Sequence, residues 1–183
     1  MTIDSWERLV SAVADNEATV ELQLVLPLLK LLGYGREDIA PKHPVIFQEG
    51  RRGRPHEADF AIFNGQGRSK ADALLVVEAK KAGEALADAA LQAESYAASL
   101  GAPFLLCTNG VAIEVWQMQL AGVSNQVVVG KVVDILSIQS KLEALLRKEA
   151  AVEYKRKIQR PSLAGKGPDL TAYLTQQLEV FKD

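Results

Sequence analysis

The apolar run Leu74-Leu75-Val76-Val77 ends abruptly in Glu78-Ala79-Lys80-Lys81. Its length and β-branched content are those of a buried strand. Burying charge is costly, so a carboxylate and an ammonium at the end of such a strand demand partners. Side chains two apart on a strand share a face, which sets Glu78 beside Lys80 and turns Ala79 away. Two readings of this tetrad stand open. It is a solvated strand end, or it is a place for a divalent cation and a polarised water.

The elements on either side build an α/β chain around that strand. Asp4 caps a first helix, with Trp6, Leu9, Val10 and Val13 at helical spacing. Asp15 or Asn16 caps a second helix reaching about Leu32 and closed at Gly33-Tyr34-Gly35. Pro27 is expected to kink or split it. Glu21 lies at the edge of that helix's apolar stripe, as a plain boundary residue or as part of a site. Residues 39–48 read as a strand, 49–54 as a Gly- and Arg-rich turn, and 57–63 as a second strand. The short link through Asn64-Gly65-Gln66-Gly67 makes strands two and three antiparallel, which brings Asp59 near Glu78.

Residues 83–100 form an alanine-rich helix ended by Gly101 and Pro103, with Gln92 and Tyr96 on one face. Strands at 104–108 and 111–117 are joined at Asn109-Gly110, and 126–135 supplies one more short strand. A long helix from Asp134 or Ser137 to about Ile158 follows, then a linker at 160–168 and a last helix capped by Asp169. The expected fold is a central mixed sheet of about five strands flanked by helices over residues 1–135. A C-terminal helical extension occupies 136–183.

Composition narrows the function classes. A formal charge of −2 means that any contact with nucleic acid comes from a local patch. A single cysteine, Cys107, excludes an internal disulfide framework and a cysteine zinc cluster, and its apolar neighbours bury it. His43 and His56 are too few and too loosely placed for a zinc hydrolase. No Gly-x-Ser-x-Gly elbow supports a serine nucleophile. The N-terminal residues lack the basic and apolar regions of a signal peptide, so a cytoplasmic protein is expected.

The acidic and amide residues occur in a telling order: Glu21 on a helix, Asp59 on a strand, Glu78 and Lys80 on the next, then Gln92 and Tyr96 on a helix. In this order the chain resembles the PD-(D/E)xK nuclease superfamily. More narrowly, it is similar to the N-terminal nuclease domain of the restriction subunit of type I restriction-modification enzymes. The likeness runs from about residue 17 to 120. Its carriers are the segment from Glu21 to Leu29 with Leu32-Gly33-Tyr34, Ala58-Asp59, Val77-Glu78-Ala79-Lys80, Gln92-Ala93-Glu94-Ser95-Tyr96 and Thr108-Asn109-Gly110. Ala58 stands where the motif has Pro, a variation the family tolerates.

The resemblance implies a restriction-endonuclease-like fold and a Mg²⁺- or Mn²⁺-dependent endodeoxyribonuclease. Asp59 and Glu78 offer hard oxygen ligands, the Ala79 backbone carbonyl a further one, and Glu21 completes the shell directly or through water. Lys80 orients the water and stabilises developing charge rather than acting as a free base. Gln92 and Tyr96 correspond to a helix that orients the site and approaches the nucleic-acid backbone; helix–sheet packing is the plainer reading. The implied partners are DNA, other restriction-modification subunits or a second copy of the chain. A non-catalytic nucleic-acid-binding or assembly module that keeps the fold is the alternative. No Gly-x-x-x-x-Gly-Lys-Ser/Thr loop occurs, so neither ATP use nor a translocating motor is expected.

Two basic stretches are candidates for phosphate contact. Arg51, Arg52, Arg54 and His56 precede Asp59, with Lys42 and His43 nearby. Residues 141–166 hold eight cations against three anions, a phosphate-contacting stripe or a solvated helix face.

Overall fold

The computed structural model describes residues 5–12, 15–49, 52–119 and 124–159, the side chains of residues 46–55 excepted. Asp4, Val13, Arg51, the linker at 160–168 and the helix from Asp169 lie outside the described residues.

One six-stranded sheet runs in the order β1 (Ile39–Glu49), β2 (Arg52–Phe63), β3 (Ala73–Ala79), β4 (Phe104–Thr108), β5 (Ala112–Met118), β6 (Ser124–Lys131). Neighbours pair antiparallel except β3 and β4, which are parallel. A parallel pair needs a crossover, and α4 (Leu86–Leu100) supplies it. Every residue of β3 is buried because helices cover both faces of the sheet at its centre. On one face, α4 brings Leu86, Ala89, Ala93, Tyr96 and Ala97 onto Val76, Leu105 and Cys107. Its alanines let the helix axis lie close, and Gly101 ends it at φ 70°, a conformation that costs other residues a steric penalty.

The other face is larger. It carries α1 (Trp6–Leu9), α2 (Glu17–Val20), α3 (Leu26–Leu31), α5 (Ile135–Leu146) and α6 (Lys148–Gln159). Trp6, Leu24, Leu28, Leu29, Ile138, Leu142, Leu146 and Ala151 close over Phe60, Ile62, Leu75 and Val77. Thus α5 and α6 belong to the same apolar core as the sheet.

Several sequence expectations are corrected. Part of the turn expected at 49–54 is strand instead, since the β1–β2 ladder continues to Glu49 opposite Arg52. The sheet has six strands, the sixth being the short strand expected from residue 126. Pro27 lies in the first turn of α3, and the helical run continues through it. The segment widens into a π turn, Glu21–Val25, between α2 and α3, with the Leu26 N–H reaching back to the Glu21 carbonyl. A wide turn of this kind absorbs the donor that proline lacks. The helix then closes in a Schellman arrangement, Tyr34 N–H to Leu29 O at 3.0 Å and Gly33 N–H to Lys30 O at 3.0 Å.

The single long helix expected from about 134 to 158 is two. Arg147 adopts an extended ψ of 137° between α5 and α6. Distant groups hold the break: Tyr34 Oη donates to Leu146 O at 2.8 Å and the Lys148 N–H donates to Leu32 O at 2.9 Å. Beside it, the fully buried Asp38 carboxylate takes Lys148 Nζ on both oxygens at 2.8 Å and the N–H groups of Gly35 and Gly65 at 2.7 Å. Burial pushes that carboxyl up, but Lys148 and the two backbone donors together outweigh it and hold it below the usual range. Further along α6, Lys155 donates to the carbonyls of Lys70 and Gly101.

Candidate active site

The candidate side chains gather at the end of β3 and the middle of β2, beside the π turn. The β2–β3 register sets Phe60 opposite Val77, so Asp59 and Glu78 follow as the next neighbours across the two strands. The strand β3 stops at Ala79, and the Lys80 N–H closes onto Thr108 O at 2.8 Å. Asp59 is buried, and its Oδ2 accepts the Ala79 N–H at 2.8 Å. Glu78 is 2% exposed; one oxygen accepts from Lys80 Nζ at 2.9 Å. Its other oxygen, Oε2, is buried without a hydrogen-bond partner. A native interior rarely leaves a carboxylate oxygen so.

Burial pushes the Glu78 carboxyl up, and the charge of Asp59 adds to this; the Lys80 bond only partly offsets it. An ion pair alone would lower the acid, so here desolvation dominates. Burial by itself would lower Lys80, but its bond to Glu78 and the charges of Glu78, Asp59 and Glu17 raise it. Lys80 is therefore held as an ammonium.

The helical side contributes Glu17 and Glu21, one turn apart on one face. Glu17, Glu21 and Asp59 each place a carboxylate oxygen within 4.8 Å of the others'. Lys42 of β1 sits among them, its Nζ 2.7 Å from Glu21 Oε1, 2.6 Å from Asp59 Oδ1 and 4.0 Å from Glu17 Oε1. Burial would lower Lys42, but the bonds to Asp59 and Glu21 raise it. Its backbone has φ 47°, and it is the one non-glycine with positive φ among the described residues.

The structure thus joins Glu21 to Asp59 through Lys42, Asp59 to β3 through the Ala79 amide, and Glu78 to Lys80. Gln92 and Tyr96 form a separate pair on α4. Gln92 donates to Tyr96 Oη at 2.5 Å, and the Tyr96 ring is 1% exposed in the α4 core, 6.3 Å from the ring of His56. Arg51 lies outside the described residues, as do the side chains of Arg52 and Arg54. Lys42, grouped by sequence with the phosphate-contacting cations, faces carboxylates instead. Of the basic stretch, Lys155 is buried and Lys148 half-buried on Asp38, and Arg147 and Lys157 pair with Glu143 and Glu153 one helical turn away. Lys141, Arg147, Arg156 and Lys157 face solvent along this stretch; Arg160 and Lys166 lie outside the described residues.

Glu17 was not singled out by the sequence. The signal was its spacing of four from Glu21. What hid it was that its partners, Asp59 and Lys42, come from strands far along the chain.

One six-stranded mixed sheet flanked by helices, with acidic groups and a lysine on its adjacent central strands β2 and β3, defines a mixed α/β class of fold. Within that class, the chain belongs to the family of the type I restriction enzyme R protein N terminus, whose model matches residues 16–130. A solved fragment assigned as an HsdR subunit of a type I restriction enzyme from Vibrio vulnificus YJ016 is 26% identical to it, with a TM-score of 0.47. That match covers 61% of this chain and 22% of the other, so the matched part spans about a fifth of that fragment's length. No curated protein matches it. No helix among the described residues is long and apolar enough to cross a membrane.

Proposed function

We propose that this domain is a metal-dependent endodeoxyribonuclease of a type I restriction system, hydrolysing phosphodiester bonds in DNA with Mg²⁺ or Mn²⁺. The observation that carries the reading is the buried, unpartnered Glu78 Oε2 beside Asp59, with Lys80 on the other oxygen. An anionic oxygen stripped of water and of donors fits a cation ligand. The donor set is all carboxylate oxygen, which suits hard divalent ions.

Asp59 and Glu78 would hold the ion, with Glu21 directly or through water and the Ala79 carbonyl as a further ligand. Such an ion supplies charge neutralisation at the phosphate and a water of lowered pKa. The chain's own residues do the rest. Lys80, held protonated by its acidic neighbours, stabilises charge developing on the phosphate and orients the attacking water; it does not take the proton. The Ala79 amide fixes the Asp59 carboxylate, which keeps it aligned with Glu78. Gln92 steadies Tyr96 on the helix behind the sheet, and Arg51, Arg52 and Arg54 are the candidate phosphate contacts. DNA and other restriction-modification subunits, or a second copy, are the partners of this reading, in the cytoplasm.

A second reading, a DNA-binding or assembly module without catalysis, is favoured by one observation: Lys42 already satisfies two of the carboxylates. Nicking of supercoiled plasmid with Mg²⁺ separates the two. The wild type should relax the plasmid, and Asp59→Ala and Lys80→Ala should cut at least about a hundredfold more slowly. Equal residual cutting by all three would overturn the nuclease reading.

A further inference from the structure

We propose that Lys42 is a tethered cation that occupies the metal-binding oxygens of the resting protein, so that a divalent ion binds only by displacing its ammonium. The inference rests on the nuclease reading above and assigns this residue a role in controlling metal entry.

The contacted atoms carry the argument. Lys42 Nζ takes Glu21 Oε1 at 2.7 Å and Asp59 Oδ1 at 2.6 Å, with Glu17 Oε1 at 4.0 Å. An ammonium has three donors and no acceptor, so it cannot share a coordination sphere as a ligand. A hard divalent ion sits roughly 2.0–2.6 Å from its oxygens. An ion bridging Glu21 and Asp59 would overlap the volume that Nζ fills, and two cations so close repel strongly.

The backbone points the same way. Lys42 stands at φ 47°, where a side-chain-bearing residue is disfavoured, in the middle of β1. The β1–β2 partners pass from Pro41 opposite Phe60 to His43 opposite Ala58, and the step at Lys42 and Asp59 is left out of the ladder. Ladder pairs on either side hold this twisted backbone, and the side chain leaves it toward the two carboxylates. The exit is open too, because the side chain remains 48% exposed.

Mn²⁺ binding by calorimetry, with thermal unfolding in EDTA, tests this in the full chain. The variants are Lys42→Met and Lys42→Gly, the second accepting positive φ without strain. Asp59→Asn is the control for binding at this site. Both Lys42 variants should bind Mn²⁺ at least about fivefold more tightly than wild type, the lower end of ordinary coupling. Lys42→Met should also unfold at lower temperature in EDTA, because its carboxylates lose their counter-charge, and recover with Mn²⁺. Unchanged or weaker Mn²⁺ affinity in both variants, with wild-type binding still abolished by Asp59→Asn, would overturn the displacement and leave the nuclease reading standing. No Mn²⁺ uptake by any of the four proteins would overturn both.

Discussion

Glu78 is the residue where stability and function pull apart. Its raised pKa means that folding disfavours its charged form. Such a group contributes most below its unfolded pKa of about 4.3, and that contribution is lost as pH rises through the higher folded value. Glu78→Gln keeps an oxygen for Lys80 and removes the ionisation. At pH 7 in EDTA the variant should therefore be more stable than wild type by about 1 kcal/mol. The gap should close as the pH falls toward 4, read from urea melts across pH. The same protein should show no plasmid nicking, which is the expected cost of a preorganised site. At this scale Glu78 and Lys80 were legible because charge at the end of an apolar strand is anomalous in itself. Lys42 was visible only as a cation in a basic neighbourhood. Its partners are 21 and 17 residues away, and nothing local in the sequence turns it toward them.

Among the elements, β3, α4 and β4 could be read from the sequence because their signals are local: a bounded apolar run, alanines at helical spacing, and glycine or proline at the ends. The division of α5 from α6 could not. Residues 135–158 have unbroken helical character, and the break at Arg147 is held by Tyr34, Leu32 and Asp38, more than a hundred positions earlier. Lys148→Met tests that brace. It strands the Asp38 carboxylate with two backbone donors only. The loss should be about 2 kcal/mol at pH 7, below the 3–5 typical of a fully buried pair because Lys148 keeps some water contact. The Asp38 pKa is lowered, so its contribution is present above the unfolded value of about 3.9 and lost as pH falls through the folded one. The difference between variant and wild type, followed by denaturant unfolding, should accordingly shrink in acid.

For the molecule as a whole, a formal charge of −2 and four carboxylates at one sheet end set the terms of DNA binding. In EDTA the chain should hold duplex DNA no better than ordinary non-specific binders, roughly 10⁻⁴–10⁻⁶ M at physiological salt. Ca²⁺ or Mg²⁺ should tighten that association by neutralising the acidic end, as filter binding would register; insensitivity to the ion would count against DNA lying over these residues. Finally, Ile138, Leu142, Leu146 and Ala151 lie in the sheet's own core, so the segment after residue 135 is no detachable tail. Excising it would bare an oily trough along the sheet and strip Asp38 of its counterion. The shortest piece of this polypeptide that keeps its shape in water thus has to be carried through α6, whatever it is fused to.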